Sequence, residues 1–272
     1  MRSFKHFIVE KEISEFALDL EQFDMLRENV EPAEIAVDAP ETPKPGVPHG
    51  RQPGSNIWKK VSKGAKKYFD ASPEEQASMQ KEADRVLGKT KLLGDEASNP
   101  KLTKSGNIVP EYNTKGLSFA PSTKSGIDVC TASTEECRSA CLGTEAGRGR
   151  MQSVRDARVN RTHKLFDHPH LFFAKLDGEF TSAKKSDAKN GQRTASRLNV
   201  LSDIPYEHLA PQLFKKHKDI AFYDYTKISG RLNHKNLPSN YHLTLSSTGI
   251  NHETSNWKDV REHLDRGGVA SM

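Results

Sequence analysis

The stretch SRLNVLSDIPYEHLAPQLFKKHKDIAFYDY, residues 196–225, decides the fold. Two short apolar runs, Ser196 to Leu201 and Ile220 to Tyr225, read as strands, and between them Tyr206 to Lys216 reads as helix. A strand, helix, strand order of this length makes the two strands parallel, with a right-handed crossover. The same rhythm extends outward. Upstream, a strand at Gly116 to Ala120 precedes helices at Met151 to Phe166 and Pro169 to Lys185. Downstream come a short turn near Leu232, a strand at Tyr241 to Ser246, a helix at Trp257 to Arg266 and a last strand at Gly268 to Ser271. The fold class is therefore α/β, with parallel β/α repeats in a doubly wound sheet or a barrel, and we expect a partial barrel, open or truncated. The final run reads as a strand barely begun, so the domain is expected to be cut short at its C-terminus.

Polar residues gather where each strand ends. Asn199, Ser202 and Asp203 follow the second strand, Asp224, Thr226 and Lys227 end the third, and Ser246, Ser247 and Thr248 end the fourth. Parallel strands present these ends on one face, where α/β proteins bind ligands. Each residue alone could be a helix cap or a loop hydrogen bond; their recurrence points to a shared site. Asp203, Asp224 and Lys227 are the candidates for catalysis, because they can orient a ligand or carry a proton. Asn199, Ser202, Thr226 and Ser246 are candidates for cofactor binding.

Three cysteines, Cys130, Cys137 and Cys141, are the only ones in the chain and lie in the loop after the first strand. A short loop can aim three thiolates at one centre, which suits a soft metal. Zinc knuckles use closer pairs than this Cys-x6-Cys-x3-Cys spacing, so a 4Fe-4S cluster with one iron left free fits better, with zinc as the alternative. An odd count without a secretory signal points to a reducing compartment rather than to disulfides. Cys137 and Cys141, four apart, are expected on one face of a helical turn begun near Thr134. His163, His168 and His170 are candidates for a fourth ligand, or they simply pack at a helix junction. Arg148, followed by Arg155, Arg158 and Arg161 on one helix side, could grip a phosphate or carboxylate, unless these arginines only pair with neighbouring acids.

The chain has 272 residues, 34% of them hydrophobic, and a net charge of +5 that is unevenly placed. After Met1, Arg2 and Lys5 the apolar run Phe7 to Val9 ends at Glu10, too short for a signal peptide or membrane span. Residues 1–38 are acidic, with Phe16, Leu20, Phe23 and Leu26 at helical spacing, and Pro40, Pro43, Pro45, Pro48 and Pro53 mark a linker. We thus expect a helical, partly disordered arm and linker over 1–55, a basic helical segment over 56–98 and a β/α domain over 99–272. In the basic segment Lys59, Lys60, Lys63, Lys66 and Lys67 stand beside Trp58, Tyr68 and Phe69, which suits a solvated helix face or a nucleic-acid surface. Ser72, Pro73 and Glu75 form a capping-box signature for a helix from Pro73 to Leu87 that stops at Gly88.

Several strings in order, Gly116 to Pro121, Cys130 to Cys141 with Leu142, Ala146 to Gly149, Arg197 to Asn199, Ser202 to Ile204, Phe222 to Lys227 and Asn240 to Ser246, resemble the bacteriophage gene-product-88 family. The likeness begins near Asn99. It implies a phage origin and a place in the cytoplasm of an infected host, but brings no reaction with it. Met1 to Glu10 looks like the leader of some internal phage proteins, which implies a virion partner and packaging. A wider likeness is to radical S-adenosylmethionine enzymes, where a three-cysteine loop after the first strand of a partial barrel holds the cluster. It implies S-adenosylmethionine as a cofactor and an iron-sulfur enzyme of unknown substrate. The cysteine spacing differs from theirs, and there is no glycine-glycine-glutamate stretch after the second strand. The competing class is a non-enzymatic protein with structural zinc that binds nucleic acid or a virion partner. Limited proteolysis should cut between Ala39 and Ser55 and leave a folded C-terminal fragment; equal resistance there would remove the arm-and-linker reading.

Overall fold

The computed structural model describes residues 56–95, 102, 110–139, 141–144, 147–232, 237–248 and 256–271; the arm and linker expected over 1–55 lie outside them. The first described element, α1 (Asn56–Phe69), buries Trp58, Val61, Ala65 and Tyr68 on one stripe and leaves its five lysines exposed. That stripe is the helical repeat of the apolar positions. Ser72 then caps α2 (Pro73–Leu87), its hydroxyl accepting from the Glu75 N–H while the Glu75 carboxylate accepts from the Ser72 N–H. Gly88 ends the helix at φ 76°, a left-handed conformation that suits glycine.

A six-stranded sheet follows in the order β1 to β6: Leu93–Asp95, Tyr112–Leu117, Arg193–Arg197, Ala221–Thr226, Tyr241–Ser246 and Ala270–Ser271. Strand β1 runs antiparallel to β2, and all other neighbours are parallel. The sheet is mostly parallel and not closed, since β1 and β6 are its two edges. Between β2 and β3 lie two short helices, α3 (Ser122–Ser125) and α4 (Glu135–Ser139), a 3-10 turn Gly147–Arg150, and the long helices α5 (Gln152–Asp167) and α6 (Pro169–Lys189). Between β3 and β4, α7 (Tyr206–Leu209) and α8 (Pro211–Lys216) replace the single helix expected there. Pro211 separates them, because its ring opposes continuation of the preceding turn. Helix α9 (Trp257–Asp265) precedes β6.

Helix α6 is the platform. Phe180 meets Phe222 of β4 edge to face at 5.5 Å, and Phe214 of α8 stacks on Tyr241 of β5 at 4.7 Å. Asp187 accepts from Asn113 of β2 and Thr194 of β3, so it ties both strands to the same helix. These contacts fix which strand residues face the helices. On the opposite face stand Tyr112, Arg193, Arg197, Tyr223, Tyr225 and His242, by the two-residue alternation and the parallel register. Toward the N-terminus, α1 and α2 share the core with α6, and Trp58 meets Phe166 edge to face at 5.3 Å. Asp177 of α6, buried, accepts from Tyr68, Gln80, Lys216 and His217, which joins four segments at one carboxylate. Burial would raise its pKa, but the hydrogen bonds from His217, Tyr68 and Lys216 outweigh it and hold it at about 2.

Two strands sit earlier than the hydrophobic pattern suggests. Strand β2 is Tyr112–Leu117 rather than Gly116 to Ala120, and β3 is Arg193–Arg197 rather than Ser196 to Leu201. Phe119, Ala120, Leu198 and Val200 are buried all the same, in the segments that leave the strands. Hydrophobicity reports burial, not pairing. Gly64 of α1 crosses the start of α6 so closely that a Cβ there would lie 2.5 Å from the Pro169 ring. Gly64→Ala should therefore lower the urea midpoint, since overpacking costs about 1–3 kcal/mol of stability against the ~1 kcal/mol that alanine gains in a helix interior. An unchanged or raised midpoint would show that the two helices can part without cost.

Candidate functional site

Past Leu117 the chain turns into the cysteine loop. Asp203 N–H donates to the Val129 carbonyl at 2.7 Å, which pins the loop to the segment after β3. Cys130 N–H donates to Asp128 Oδ1 at 2.8 Å, and Ser133 N–H closes a turn onto the Cys130 carbonyl. Thr134 then caps α4, its hydroxyl accepting from the Cys137 N–H. Cys137 is in the helix, whereas Cys141 lies beyond its end in a separate turn closed by Thr144. The expected pairing of the two on one helical face does not form.

The arginines of α5 hold this loop by its backbone. Arg158 donates to the Gly143 carbonyl at 2.7 Å, Arg161 to the Ser118 carbonyl at 2.8 Å and Arg155 to the Arg150 carbonyl at 2.8 Å. Among the described residues none of the three forms an ion pair with an acid. Arg148 falls in the 3-10 turn, and its side chain lies outside the described residues. His163 faces Asp167 at 3.9 Å rather than the sulfurs.

All three cysteines, Asn199, Ser202, Asp203, Thr226, Lys227 and Ser246 line one cavity of about 240 Å³ at the C-terminal ends of β3, β4 and β5. The loop and the strand ends thus share a mouth, as parallel strands require. Among the described residues, however, no three His, Cys, Asp or Glu side chains are gathered as a metal-holding group. The three thiols are free, Cys137 exposed and the other two partly covered. Cys130 donates to the Leu201 carbonyl, and burial, together with the carboxylates of Asp203 and Asp128, pushes its thiol well up. A larger cleft of about 780 Å³ lies between α2, α6 and β1. Its inner charges are already paired, Lys175 with Asp84 and Lys115 with Asp95, while Glu179 accepts from Leu92 and Leu93 N–H. The smaller cavity is the better candidate.

Asp224 is not at the mouth. It points to the helix side, 1% exposed, and accepts from Asn199 N–H at 2.7 Å, Asn199 Nδ2 at 3.2 Å and the Tyr241 hydroxyl at 2.9 Å. Asn199 is equally committed, its Oδ1 accepting from Ser202 Oγ and Ile204 N–H. Beneath the cavity Arg231 donates to Asp203 and to both oxygens of Glu207, while the other Asp203 oxygen accepts from Thr226 Oγ1 and Lys227 N–H. Asp203, Asp224 and Asn199 are thus held by partners within the protein, Asp203 and Asn199 while also lining the cavity. The residue that sequence reasoning passed over is Arg197, which lines the cavity with its guanidinium 4.5 Å above the Tyr225 ring. The alternation of Arg193, Ala195 and Arg197 would have marked it, had β3 been started at its true first residue.

An open, mostly parallel α/β sheet with a thiol-lined cleft at its strand ends defines the class of protein. The family model of gene product 88 matches residues 85–271, and the chain belongs to that family. No curated protein and no solved structure matches it, so the likeness to radical S-adenosylmethionine enzymes gains no support. No helix among the described residues is long and apolar enough to cross a membrane.

Burial raises the Asp224 pKa to about 7, against the opposing pull of Arg197 and its hydrogen bonds. A carboxyl raised above its unfolded value near 3.9 binds more protons in the native state between those limits. Its contribution to stability is therefore greatest below the unfolded pKa and falls as pH rises toward 7. Asp224→Asn has no such titration. In urea unfolding at pH 5 and pH 8 the variant should gain on wild type at the higher pH; parallel profiles would mean that Asp224 is ionised throughout.

Proposed function

We propose that this gene product 88 protein is an iron-sulfur protein whose cluster is held by Cys130, Cys137 and Cys141 at the mouth of a partial barrel, and that the strand-end cavity beside it takes the substrate. One observation carries the reading: the chain's three cysteines all border the same small cavity as the polar strand ends. The donor set is right in kind for a soft metal, with three thiols and no competing disulfide. Loading would draw Cys137 and Cys141 inward, as metal sites on short loops commonly order when filled. The cluster would supply electron transfer or a free iron for a ligand such as S-adenosylmethionine. The chain's own residues would do the rest. Lys227 would meet the substrate, Asp203 would hold Lys227 and Thr226 in place, and Asp224 would support Asn199 from behind. The reducing cytoplasm of the infected host suits both the thiols and the cluster.

The test is anaerobic purification of the full chain, followed by iron and sulfide assay and absorbance near 400 nm, with each of Cys130→Ser, Cys137→Ser and Cys141→Ser alongside. Iron and sulfide in wild type, with loss in every variant, is the expected result. Added S-adenosylmethionine should then perturb the cluster's spectrum if it binds. A second reading rests on the five exposed lysines of α1: a non-enzymatic protein with structural zinc that meets nucleic acid or a virion component. One tightly held zinc without iron, and salt-sensitive DNA or RNA binding weakened by Lys59→Glu with Lys63→Glu, would favour it.

A further inference from the structure

The cavity's polar lining divides into groups already satisfied within the protein and groups that are not. The carboxylate and amide oxygens of the lining are already engaged. Asp203 has both oxygens engaged, by Arg231 on one side and by Thr226 and Lys227 N–H on the other. Asn199 Oδ1 takes two donors, and Thr226 Oγ1 both donates to Asp203 and accepts from Ile228 N–H. The donor side is different. Arg197 makes no hydrogen bond and no ion pair among the described residues, and its Nε is buried without a partner. Its guanidinium lies 4.5 Å from the Tyr225 ring centroid and lines the cavity, and its charge also acts on the buried Asp224 carboxylate behind it. Lys227 Nζ donates to the Ser247 carbonyl at 2.8 Å and to Ser246 Oγ at 3.4 Å, which leaves one of its three hydrogens.

A buried donor without an acceptor costs free energy in the empty site, and that cost is recovered when a ligand brings the acceptor. We propose that Arg197 and Lys227 form an oxyanion site, and that the ligand of this cavity carries a carboxylate or phosphate group held between them. The inference rests on the reading of this cavity as the functional site, and it names the chemistry of what enters. A guanidinium presents a fork suited to two oxygens at once, while the ammonium supplies a point charge to a third. At about 240 Å³ the cavity is smaller than the usual drug-sized pocket, so it takes a small anion or the anionic end of a larger molecule. The three sulfurs border the same space, which would set that molecule's remainder against them.

The experiment titrates the metal-free and the iron-loaded full chain with inorganic phosphate and with malonate, by calorimetry, against sodium chloride at matched ionic strength. Binding of one or both beyond the chloride control is expected. Arg197→Ala should weaken it at least tenfold, Arg197→Lys should recover part of the loss, and Lys227→Gln should weaken it several-fold. Arg193→Ala is the control, because Arg193 sits on Tyr112 at the far end of the same strand face and does not line the cavity. If Arg197→Ala fails to fold, Arg197→Lys and Lys227→Gln still decide. No binding of either anion, or equal affinity in the Arg197 and Lys227 variants, overturns the inference. Anion binding without any iron-sulfur cluster would overturn the proposed function and leave the oxyanion site standing. A cluster without anion binding would do the reverse.

Discussion

The mouth of the sheet depends on one buried cation. Arg231, 3% exposed, follows β4 in a single 3-10 turn (Ser229–Arg231) and reaches under the cavity to three other segments. It donates to Asp203 in the loop after β3, to both oxygens of Glu207 in α7 and to the Tyr241 hydroxyl at the start of β5. A guanidinium has enough donors in one plane to satisfy all of these at once, and a lysine does not. Removing one member of such a buried set leaves an uncompensated charge, at a cost of about 3–5 kcal/mol. Because Asp203 also holds Thr226 and the Lys227 backbone, the position of the cavity's ammonium is set two contacts away from Arg231. The floor is polar but closed, and a closed floor leaves few groups for a ligand.

Helix α6 plays the corresponding part on the other side of the sheet. Its Phe180 takes Phe222 of β4 and the His217 ring that follows α8, while Asp177 and Asp187 take the polar groups. Both carboxylates are buried and both are fully engaged, so they act as joints rather than as reactive groups. Asp177 in particular fastens α1 and α2 through Tyr68 and Gln80, and α8 with its following turn through Lys216 and His217. The lysine face of α1 is thus presented on a helix whose apolar stripe and whose last turn are both anchored. The helix that carries those lysines is thereby held in place, while their ammonium groups stay free to move on flexible stems.

Much of this architecture is written in the sequence and some of it is not, for reasons that differ from residue to residue. The capping box at Ser72 is local chemistry, and so is the stop at Gly88; both are where the sequence places them. The parallel order follows from the spacing of apolar runs, and with it the meeting of the cysteine loop and the strand ends in one cavity. Strand limits were less legible. Strand β3, Arg-Thr-Ala-Ser-Arg, has little hydrophobic signal because one of its faces bonds to Asp187 and the other carries arginines stacked on tyrosines. That error of three residues hid Arg197. The commitment of Asp203, Asp224 and Asn199 was hidden too, since their partner Arg231 lies in a turn and belongs to no motif. Sequence shows which polar groups reach a site, but not which of them are already taken.

That distinction bears on how a loop of three thiols and a rigid floor can work together. The floor is held by Arg231, by Asp203 and by the Asn199 bonds, so a ligand entering the cavity meets groups that need not rearrange. The cysteine loop is held differently. Its two ends are pinned, by Asp203 to Val129 at one side and by Arg158 to Gly143 at the other, while Cys137 rides between them on a helix of little more than one turn. Changes in the position of Cys137 and Cys141 can be absorbed between those pins without disturbing the sheet. Gly143 sets the limit on that freedom: a Cβ there would stand 3.3 Å from the Cys141 sulfur, and Gly149 packs directly on the Gly143 backbone. In the proposed loaded state the sulfurs would close over a cavity whose shape is already fixed. Selectivity would then reside in the floor and the Arg197 fork, and reactivity in the loop.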